Sequence, residues 1–226
     1  MKYKTAVFDM DGTILNTLDD LCDAVNFTLR HYGFPERTLG EIRSFLGGGG
    51  RNLMRLSLPA GSPDALIDEA FTFYQPYYLA HCNDKTAPYP GIPELLADMK
   101  TAGIRLAVVS SKPDAPAQKL SKQFFGELFD ICIGDRPGLA RKPDPQALYI
   151  ALEELYPGSE LASPHGPKEG CVFIGDSEYD ILVARNAGIP GVAVSWGFRT
   201  REQLTAIEPD FLADSTKELR TILLAD

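Results

Sequence analysis

The sequence places pairs of acidic side chains where they could act together on one bound group. Asp9 and Asp11 lie two positions apart in the segment DMDGT, directly after the apolar run 5–8 (TAVF). Two carboxylates at this spacing could share one hard cation, and a deprotonated aspartate could also act as a nucleophile. The alternative is a simple turn, because Asp and Gly both favour turns. This segment alone leaves both interpretations open.

A second acidic segment follows another apolar run. Asp176 and Ser177 come directly after the run 171–174 (CVFI), and Asp180 lies three residues beyond Ser177. If both runs are parallel strands, the two acidic segments lie at the same edge of a sheet, where a Mg²⁺ site could form. Asp176 or Ser177 could instead cap the following helix. The two roles can coexist because they use different side chains.

Two further segments combine hydroxyl groups and positive charge. Ser110, Ser111 and Lys112 end the run 104–109 (IRLAVV), and Lys142 lies in RKPDP just before a helical segment. Hydroxyl and backbone N–H groups at a strand-to-helix turn bind phosphate oxygens readily, although an N-cap is an equally good interpretation. Lys142 could place its charge on a bound anion, or it could be an ordinary solvated lysine.

The elements that must position these groups alternate along the chain. Short apolar runs predict strands at 5–8, 104–109, 129–133, 171–174 and 189–194, and amphipathic segments predict helices at 92–101, 114–125, 145–155 and 179–187. This alternation predicts an α/β core with a doubly wound, Rossmann-like parallel sheet. In such a sheet the chemistry gathers at the carboxyl ends of the strands.

One long segment interrupts the alternation. Residues 15–80 contain amphipathic stretches and the glycine run Gly47–Gly50 but no convincing strand, and the chain returns through DKTAPYPGIP. We expect a helical cap at residues 15–87, inserted into an α/β core made of residues 1–14 and 88–226. A length of 226 residues, which falls between one domain and two, fits this organisation.

Composition narrows the class of protein. The hydrophobic content of 44% is typical of a globular protein. The net charge of −9 argues against a protein whose main function is to bind nucleic acid. The four cysteines show no metal-binding spacing, and no apolar run is long enough for a signal sequence or a membrane span. We expect a cytoplasmic protein, a monomer or homodimer, whose partner is a small molecule rather than nucleic acid or a membrane.

The four segments, in their order along the chain, resemble the motifs of the haloacid dehalogenase superfamily: an aspartate pair, a Ser or Thr, a Lys and an acidic pair. The resemblance implies a phosphoryl-transfer enzyme. Asp9 would be the nucleophile that forms an aspartyl-phosphate, and Asp11 the general acid and base. Ser110 would contact the phosphoryl group, and Lys142 would neutralise charge. An acid at position 11 favours phosphate-ester hydrolysis over dehalogenation, which needs no proton donor for its leaving group.

The same resemblance implies a bound Mg²⁺ ion. Its ligands would be the Asp9 side chain, the Asp11 backbone carbonyl and Asp176, while Asp180 and Ser177 would lie just outside them. An anionic nucleophile can approach a phosphate dianion only where positive charge screens the repulsion, which makes the implied metal physically coherent.

The flanking sequence resembles the phosphoglycolate phosphatase group within that superfamily. The similar segments are DMDGTILNT, FLGGGGRNL, PYPGIPELL and SWGFRTREQL. This chain departs from the group at Asn16, Ser110 and Ser111, where Asp, Thr and Asn are commoner. The resemblance implies a small phosphate monoester, with 2-phosphoglycolate first, as the phosphorylated substrate.

Three alternatives stay open. An inorganic pyrophosphatase of the same subclass would share nearly every motif. A β-phosphoglucomutase would carry a histidine near position 20, where this chain has Asp20. A non-catalytic protein that binds a phosphorylated ligand would be expected to lack Asp9, Asp11 or Lys142, all of which are present.

Substrate selection is expected in the cap and around the first motif. The substrate-binding candidates are Thr13, Ser111, Gly49 and Arg51. Gly47–Gly50 could bring backbone N–H groups over the site, with Arg51 as the accompanying cation. Other cap residues are expected to play structural or solvent-facing parts: packing for Tyr74, Tyr77 and Tyr78, and solvated helix faces for Arg43 and Arg55.

Overall fold

A computed structural model describes residues 2–166 and 168–225. The strands in these ranges are β1 (Thr5–Phe8), β2 (Leu15–Asn16), β3 (Ala87–Pro88), β4 (Arg105–Pro113), β5 (Ile131–Asp135), β6 (Cys171–Gly175), β7 (Gly191–Val194) and β8 (Phe211–Ala213). Six of them form a parallel sheet in the order β5-β4-β1-β6-β7-β8. The first strand lies near the middle of this sheet, and the strand order reverses around it.

Helices cover both faces of the sheet. The helices of the part of the chain that follows β3 are α5 (Ile92–Thr101), α6 (Asp114–Phe125), α7 (Gln146–Leu155), α8 (Glu178–Ala187), α9 (Arg201–Ala206) and α10 (Thr216–Leu224). A 3₁₀ turn lies at Glu160–Ala162. Alternate residues of β1 enter opposite layers of the core: Phe8 packs in one apolar cluster and Val7 in the other. All four β1 residues are buried because both faces are covered.

The predicted doubly wound α/β core is confirmed, with differences at its ends. The strand predicted at 104–109 extends to Pro113, where its pairing with β5 is irregular. The sequence prediction also missed the short strands β2, β3 and β8 and the helices α9 and α10. A three-residue strand such as FLA is too short to show a pattern of its own.

Four helices lie between β2 and β3. They are α1 (Leu18–His31), α2 (Leu39–Phe45), α3 (Gly50–Ser57) and α4 (Asp64–His81), and we call residues 18–81 the helical insert. Their apolar faces pack on one another, with Leu29, Ile42, Met54 and Tyr74 almost fully buried. The helix α2 begins at a capping box formed by Thr38 and Glu41.

The two chain segments that enter and leave the insert are tied together. Leu15 pairs with Pro88 and Asn16 with Ala87 in the antiparallel β2–β3 pair. Asp20, buried in the first turn of α1, accepts hydrogen bonds from the backbone N–H groups of Lys85 and Thr86. These contacts fasten the two ends of the insert to each other beside β2 and β3. No helix in the described part of the chain is long and apolar enough to cross a membrane.

Candidate active site

The four chemically active segments meet at the carboxyl edge of the sheet. Asp9 follows β1, Ser110 lies in β4, Asp176 follows β6, and Lys142 precedes α7. They line one cavity between the sheet edge and the helical insert, together with Asp11, Ser111, Lys112, Ser177, Asp180, Arg199 and residues of the insert. Parallel strands all point their carboxyl ends to this edge, so segments far apart in sequence converge there.

Three carboxylates form the centre of this site. One oxygen from each of Asp9, Asp176 and Asp180 lies within 4.8 Å of the others, and all three residues are buried. The Lys142 ammonium lies between two of them, 2.8 Å from Asp9 Oδ1 and 2.7 Å from Asp180 Oδ1. The ammonium thus pairs with Asp9 and Asp180, whereas Asp176 has no ion pair with it.

The pKa values reflect this imbalance. Burial raises the pKa of Asp9 to about 7, a shift that Lys142 reduces and Asp180 and Asp11 increase. Burial and the neighbouring Asp180 and Asp9 also hold the pKa of Asp176 well above its ordinary value. For Lys142, burial lowers the pKa, but the Asp180 and Asp9 carboxylates outweigh it and raise the pKa above 10.5.

A hard divalent cation fits this donor set. Carboxylate oxygens are the ligands that Mg²⁺ prefers, and a bound dication would offset the repulsion that raises the pKa values of Asp9 and Asp176. The donors are also close enough together to share one ion.

Glycines allow the backbone to approach these acids closely. A Cβ atom at Gly12 would lie 2.3 Å from Asp176 Oδ2, and one at Gly197 would lie 2.3 Å from Asp176 Cβ. A Cβ at Gly175 would lie equally close, 2.3 Å, to Asp180 Cβ. Gly12 also has a φ of +83°, in the left-handed region that favours glycine. The glycine of the DMDGT segment is therefore required both for its turn and for the space beside Asp176.

Hydrogen bonds orient Asp176 and Asp180, the two acids that follow β6. Asp176 accepts from Thr13 Oγ1 at 3.1 Å and from the Phe198 backbone N–H at 2.7 Å. Asp180 accepts from Ser177 Oγ at 2.6 Å and from the Ser177 N–H at 3.1 Å, so Ser177 is the N-cap of α8. Because its carboxylate is engaged by Ser177 and Lys142, Asp180 is better placed to orient Lys142 than to bind a metal directly.

Thr13 does not lie where the sequence interpretation expected it. It is fully buried and outside the cavity lining, with its hydroxyl turned to Asp176. Its carbonyl accepts a hydrogen bond from Trp196 Nε1 at 3.0 Å. The structure therefore does not bring Thr13 to the cavity with the other substrate-binding candidates: it lies behind the acidic cluster and orients one of its members.

The Asp11 side chain is held on one oxygen from two sides. Asp11 Oδ1 accepts from Thr17 Oγ1 at 2.7 Å, and Lys112 Nζ lies 2.9 Å from the same oxygen. Lys112 also donates to the Tyr78 hydroxyl of helix α4, and its side chain is only 1% exposed. No role for Lys112 was predicted, since a lysine after two serines gives no signal of which way it points.

The wall beside Asp9 is suited to an oxyanion. Ser110 and Ser111 line the cavity at the end of β4, and Ser110 Oγ accepts a hydrogen bond from the Lys112 N–H at 3.2 Å. Gly49 of the insert lies opposite, where an added Cβ would be 3.6 Å from the Ser111 carbonyl oxygen. The structure thus brings Ser110, Ser111 and Gly49 together on the cavity, as their candidate roles require.

Arg51 does not reach the cavity. Its guanidinium lies 2.6 Å from Asp68 Oδ1 and 3.0 Å from Asp64 Oδ1, and it is outside the cavity lining. The N-terminus of α4 supplies both acids, which hold Arg51 on the outer side of the insert. The structure therefore does not bring Arg51 together with the other substrate-binding candidates.

Two other arginines join the insert to the core. Arg43, predicted to be solvated, donates through Nε to the Phe198 carbonyl at 2.9 Å and through Nη2 to Gly197. Arg199 donates to the Leu46 carbonyl at 2.8 Å and forms an ion pair with Glu178. The WGFR segment carries a basic residue, Arg199, for which no role was predicted, because its partner Leu46 lies 153 residues away in the chain.

The tyrosines of α4 divide between two surfaces. Tyr74 and Tyr78 are buried and line the cavity, with ring centroids 5.4 Å apart. Tyr77 faces the other side of the helix and stacks on Phe27 at 3.8 Å. Packing, the predicted role, describes Tyr77, whereas Tyr74 and Tyr78 also form a wall of the cavity.

Comparison with known proteins agrees with this fold and site. The family model of haloacid dehalogenase-like hydrolases matches residues 6–194. The chain is 34% identical to the phosphoglycolate phosphatase of Caulobacter vibrioides, over 93% of this chain and 86% of that protein. A crystal structure from Lactobacillus delbrueckii subsp. bulgaricus superposes with a TM-score of 0.89 at 33% identity and covers 100% of both chains. CbbY from Rhodobacter sphaeroides, solved with phosphate, superposes at 0.73 with 31% identity over 96% of each chain.

The protein belongs to the family of haloacid dehalogenase-like hydrolases, since the model of that family matches most of its length. Within that family, its curated relatives make it an enzyme of the phosphoric monoester hydrolase class.

Proposed function

We propose that this enzyme is a Mg²⁺-dependent phosphatase that hydrolyses 2-phosphoglycolate through an aspartyl-phosphate. One observation carries the proposal: Asp9 and Asp11 line the same cavity, with Lys142 2.8 Å from Asp9 and a hydroxyl-bearing strand end alongside. Two carboxylates in one cavity, one paired with an ammonium, can divide the work of nucleophile and proton carrier. The named activity of the Caulobacter vibrioides relative supports the choice of substrate.

The chemistry divides into two displacements. In the first, an Asp9 oxygen bonds to phosphorus, the bond from phosphorus to the ester oxygen breaks, and Asp11 gives a proton to the leaving alkoxide. In the second, Asp11 takes a proton from water as that water attacks phosphorus. The bond from Asp9 to phosphorus then breaks and inorganic phosphate is released. The nucleophile and the proton carrier of both steps line the cavity.

The other lining residues supply charge and position. Asp9 and Asp176, together with the Asp11 backbone carbonyl, would hold Mg²⁺. When bound, the ion supplies positive charge that offsets the repulsion between Asp9 and the phosphoryl oxygens. Lys142 adds a second positive charge, and Ser110 and Ser111 offer donors to the same oxygens.

We propose further that residues 15–87 act as a cap over a core made of residues 1–14 and 88–226. The cavity beneath the insert has a volume of about 50 Å³. A helical insert over so small a cavity favours a substrate with a short organic group over a sugar phosphate.

The nucleophile is tested by Asp9→Asn. This variant should lose all turnover of 2-phosphoglycolate and of p-nitrophenyl phosphate while unfolding at a similar temperature. The matched control is Asp84→Asn, an exposed acid that pairs with His81 and should keep full activity. Substantial phosphate release by Asp9→Asn would exclude the nucleophile assignment.

The metal and the substrate need separate measurements. Chelation with EDTA should abolish phosphate release, and added Mg²⁺ should restore it. A kcat/KM panel should rank 2-phosphoglycolate above pyrophosphate, sugar phosphates and nucleotides. A preference for pyrophosphate would instead identify the enzyme as an inorganic pyrophosphatase.

A further inference from the structure

Lys112 is a buried cation on the cavity that the phosphoryl-transfer chemistry does not use. Its side chain is 1% exposed and lines the cavity wall. The other cations on that wall are already engaged: Lys142 by Asp9 and Asp180, and Arg199 by Glu178. Burying an ammonium is costly unless it is paired. Lys112 pairs with Asp11 and donates to the Tyr78 hydroxyl, and these two partners leave part of its hydrogen-bonding capacity unused.

The position of Lys112 relates it to the leaving group rather than to the phosphoryl group. Its ammonium lies 2.9 Å from Asp11 Oδ1, and Asp11 is the proton carrier for the ester oxygen in the proposed function. A group attached close to that oxygen therefore comes near Lys112. The ammonium has three N–H donors, of which Asp11 and the Tyr78 hydroxyl take two. One donor is left for a ligand in the cavity.

The surroundings favour an anion as that ligand. The wall that the insert contributes is mainly apolar, with Leu21, Leu46, Leu53 and Tyr74, so it offers a polar group few competing partners. Arg199 is neutralised by its ion pair with Glu178, and Lys142 lies between Asp9 and Asp180. Among the residues that the structure describes, Lys112 has a single carboxylate partner, Asp11. A negatively charged organic group would be held by charge-assisted hydrogen bonding to Lys112.

We propose that Lys112, oriented by Tyr78, forms a subsite for a carboxylate separated from the ester oxygen by one carbon. The inference rests on the proposed phosphatase function and adds the group that selects the substrate. Tyr78 belongs to helix α4, so the insert contributes to the subsite by orienting the ammonium. A substrate that carries a neutral group in place of the carboxylate would leave that donor unpaired and bind more weakly.

Two esters of equal length test the subsite. They are 2-phosphoglycolate and 2-hydroxyethyl phosphate, which differ only in a carboxylate or a hydroxymethyl group. The native enzyme should show the lower KM for 2-phosphoglycolate. In Lys112→Met, KM for 2-phosphoglycolate should rise about tenfold or more, which is the range for a lost hydrogen bond to a charged group, whereas KM for 2-hydroxyethyl phosphate should change far less. kcat should fall for both esters because Asp11 loses a contact, so the ratio of the KM values is the diagnostic quantity.

Two more variants keep the test decisive. Tyr78→Phe retains the ring and its stacking on Tyr74. It should raise the ratio of KM for 2-phosphoglycolate to KM for 2-hydroxyethyl phosphate, by a smaller factor than Lys112→Met does. Lys119→Met is the matched control: Lys119 also contacts the end of α4, through the Leu79 carbonyl, but lies outside the cavity lining, and the ratio should not change. Thermal unfolding of each variant shows whether it is folded, and Tyr78→Phe carries the test if Lys112→Met is not.

The outcomes separate this inference from the proposed function. If the native enzyme releases no phosphate from p-nitrophenyl phosphate or either ester, the proposed function fails. If it does hydrolyse them but shows equal KM values for the two esters, the carboxylate subsite is overturned. An equal rise of both KM values in Lys112→Met would also overturn it, since that result describes a residue acting only through Asp11.

Discussion

At the scale of single residues, the site depends on side chains that do not touch the reacting atoms. Asp176 is held by the Thr13 hydroxyl and the Phe198 N–H, and two glycines leave room for it. Such contacts set the direction in which a carboxylate presents its oxygens to a metal. If Asp176 holds the metal as proposed, we expect Thr13 to affect metal affinity rather than substrate affinity.

Replacing Thr13 by Val tests this role. The substitution keeps the shape of the side chain but removes the donor to Asp176, so the affinity for Mg²⁺ should fall about 10–100-fold. Isothermal calorimetry with Mg²⁺ measures it directly, and activity at saturating Mg²⁺ should recover. Thr221→Val, on the exposed face of α10, serves as the control. An unchanged Mg²⁺ affinity in Thr13→Val would show that the Phe198 N–H alone orients Asp176.

At the scale of elements, Asp130 joins a helix to the sheet. Its carboxylate lies 2.8 Å from Lys100 Nζ at the end of α5 and accepts from the Leu106 N–H of β4, also at 2.8 Å. Burial raises the pKa of Asp130, but the hydrogen bonds from Lys100 and Leu106 outweigh it and hold the pKa below 3.8. The ionised carboxylate is therefore more stable in the folded protein than in the unfolded chain.

The lowered pKa of Asp130 predicts how the stability of the folded protein depends on pH. Because the folded pKa is below the unfolded value of 3.8, the contribution of Asp130 is present above that pH and is lost as the pH falls through the folded pKa. Asp130→Asn should lower the free energy of unfolding at pH 7 by about 1–3 kcal/mol, as expected for hydrogen bonds to a charged group.

Urea unfolding at pH 7 and near pH 3 checks this prediction. The difference between Asp130→Asn and the native protein should shrink at the lower pH. The control is Asp98→Asn, which breaks an exposed ion pair with Arg220 and should have little effect. An Asp130→Asn penalty that does not depend on pH would mean that the ionised carboxylate is not what stabilises the junction.

At the scale of the whole molecule, the insert and the core hold each other through a reciprocal pair of arginines. Arg43 of the insert donates to the Phe198 carbonyl, and Arg199 of the core donates to the Leu46 carbonyl. The Phe198 N–H in turn binds Asp176. The contact that fixes the insert over the cavity thus involves the same short loop that orients Asp176, an acid proposed to hold the metal.

Weakening this contact should reduce catalysis without changing any group that touches the substrate. Arg43→Lys keeps the charge but cannot reproduce the two donors of the guanidinium. The free energy that holds the insert over the cavity should therefore fall by about 1 kcal/mol, and kcat/KM should fall roughly fivefold. Limited proteolysis should also cut faster in the linker at residues 82–86. Arg55→Lys is the control, since Arg55 contacts Asn52 within the insert. Unchanged kcat/KM and unchanged cleavage in Arg43→Lys would show that the arginine does not hold the insert closed.

The chemistry of the sheet edge was predictable from the sequence because it is encoded locally. Asp9, Asp176 and Ser110 each come at or just after the end of an apolar run, and parallel strands bring such ends together whatever lies between them. The helices at 92–101 and 114–125 were likewise predicted to the residue. Periodicity and strand ends are properties of short segments, so short segments reveal them.

Only the tertiary structure decided which way the side chains on the insert and beside the strands face. Arg51 and Arg43 are both basic residues on short helices, yet the first pairs with α4 and the second crosses to the core. Lys112 turns inward to Asp11, and Thr13 turns away from the cavity to Asp176. The spacing of the acids in the sequence, Asp9 and Asp11 after one strand and Asp176 and Asp180 after another, was therefore enough to predict the kind of chemistry. The groups that orient the acids, and could select the substrate, depend on contacts between segments far apart in the chain, which no local spacing encodes.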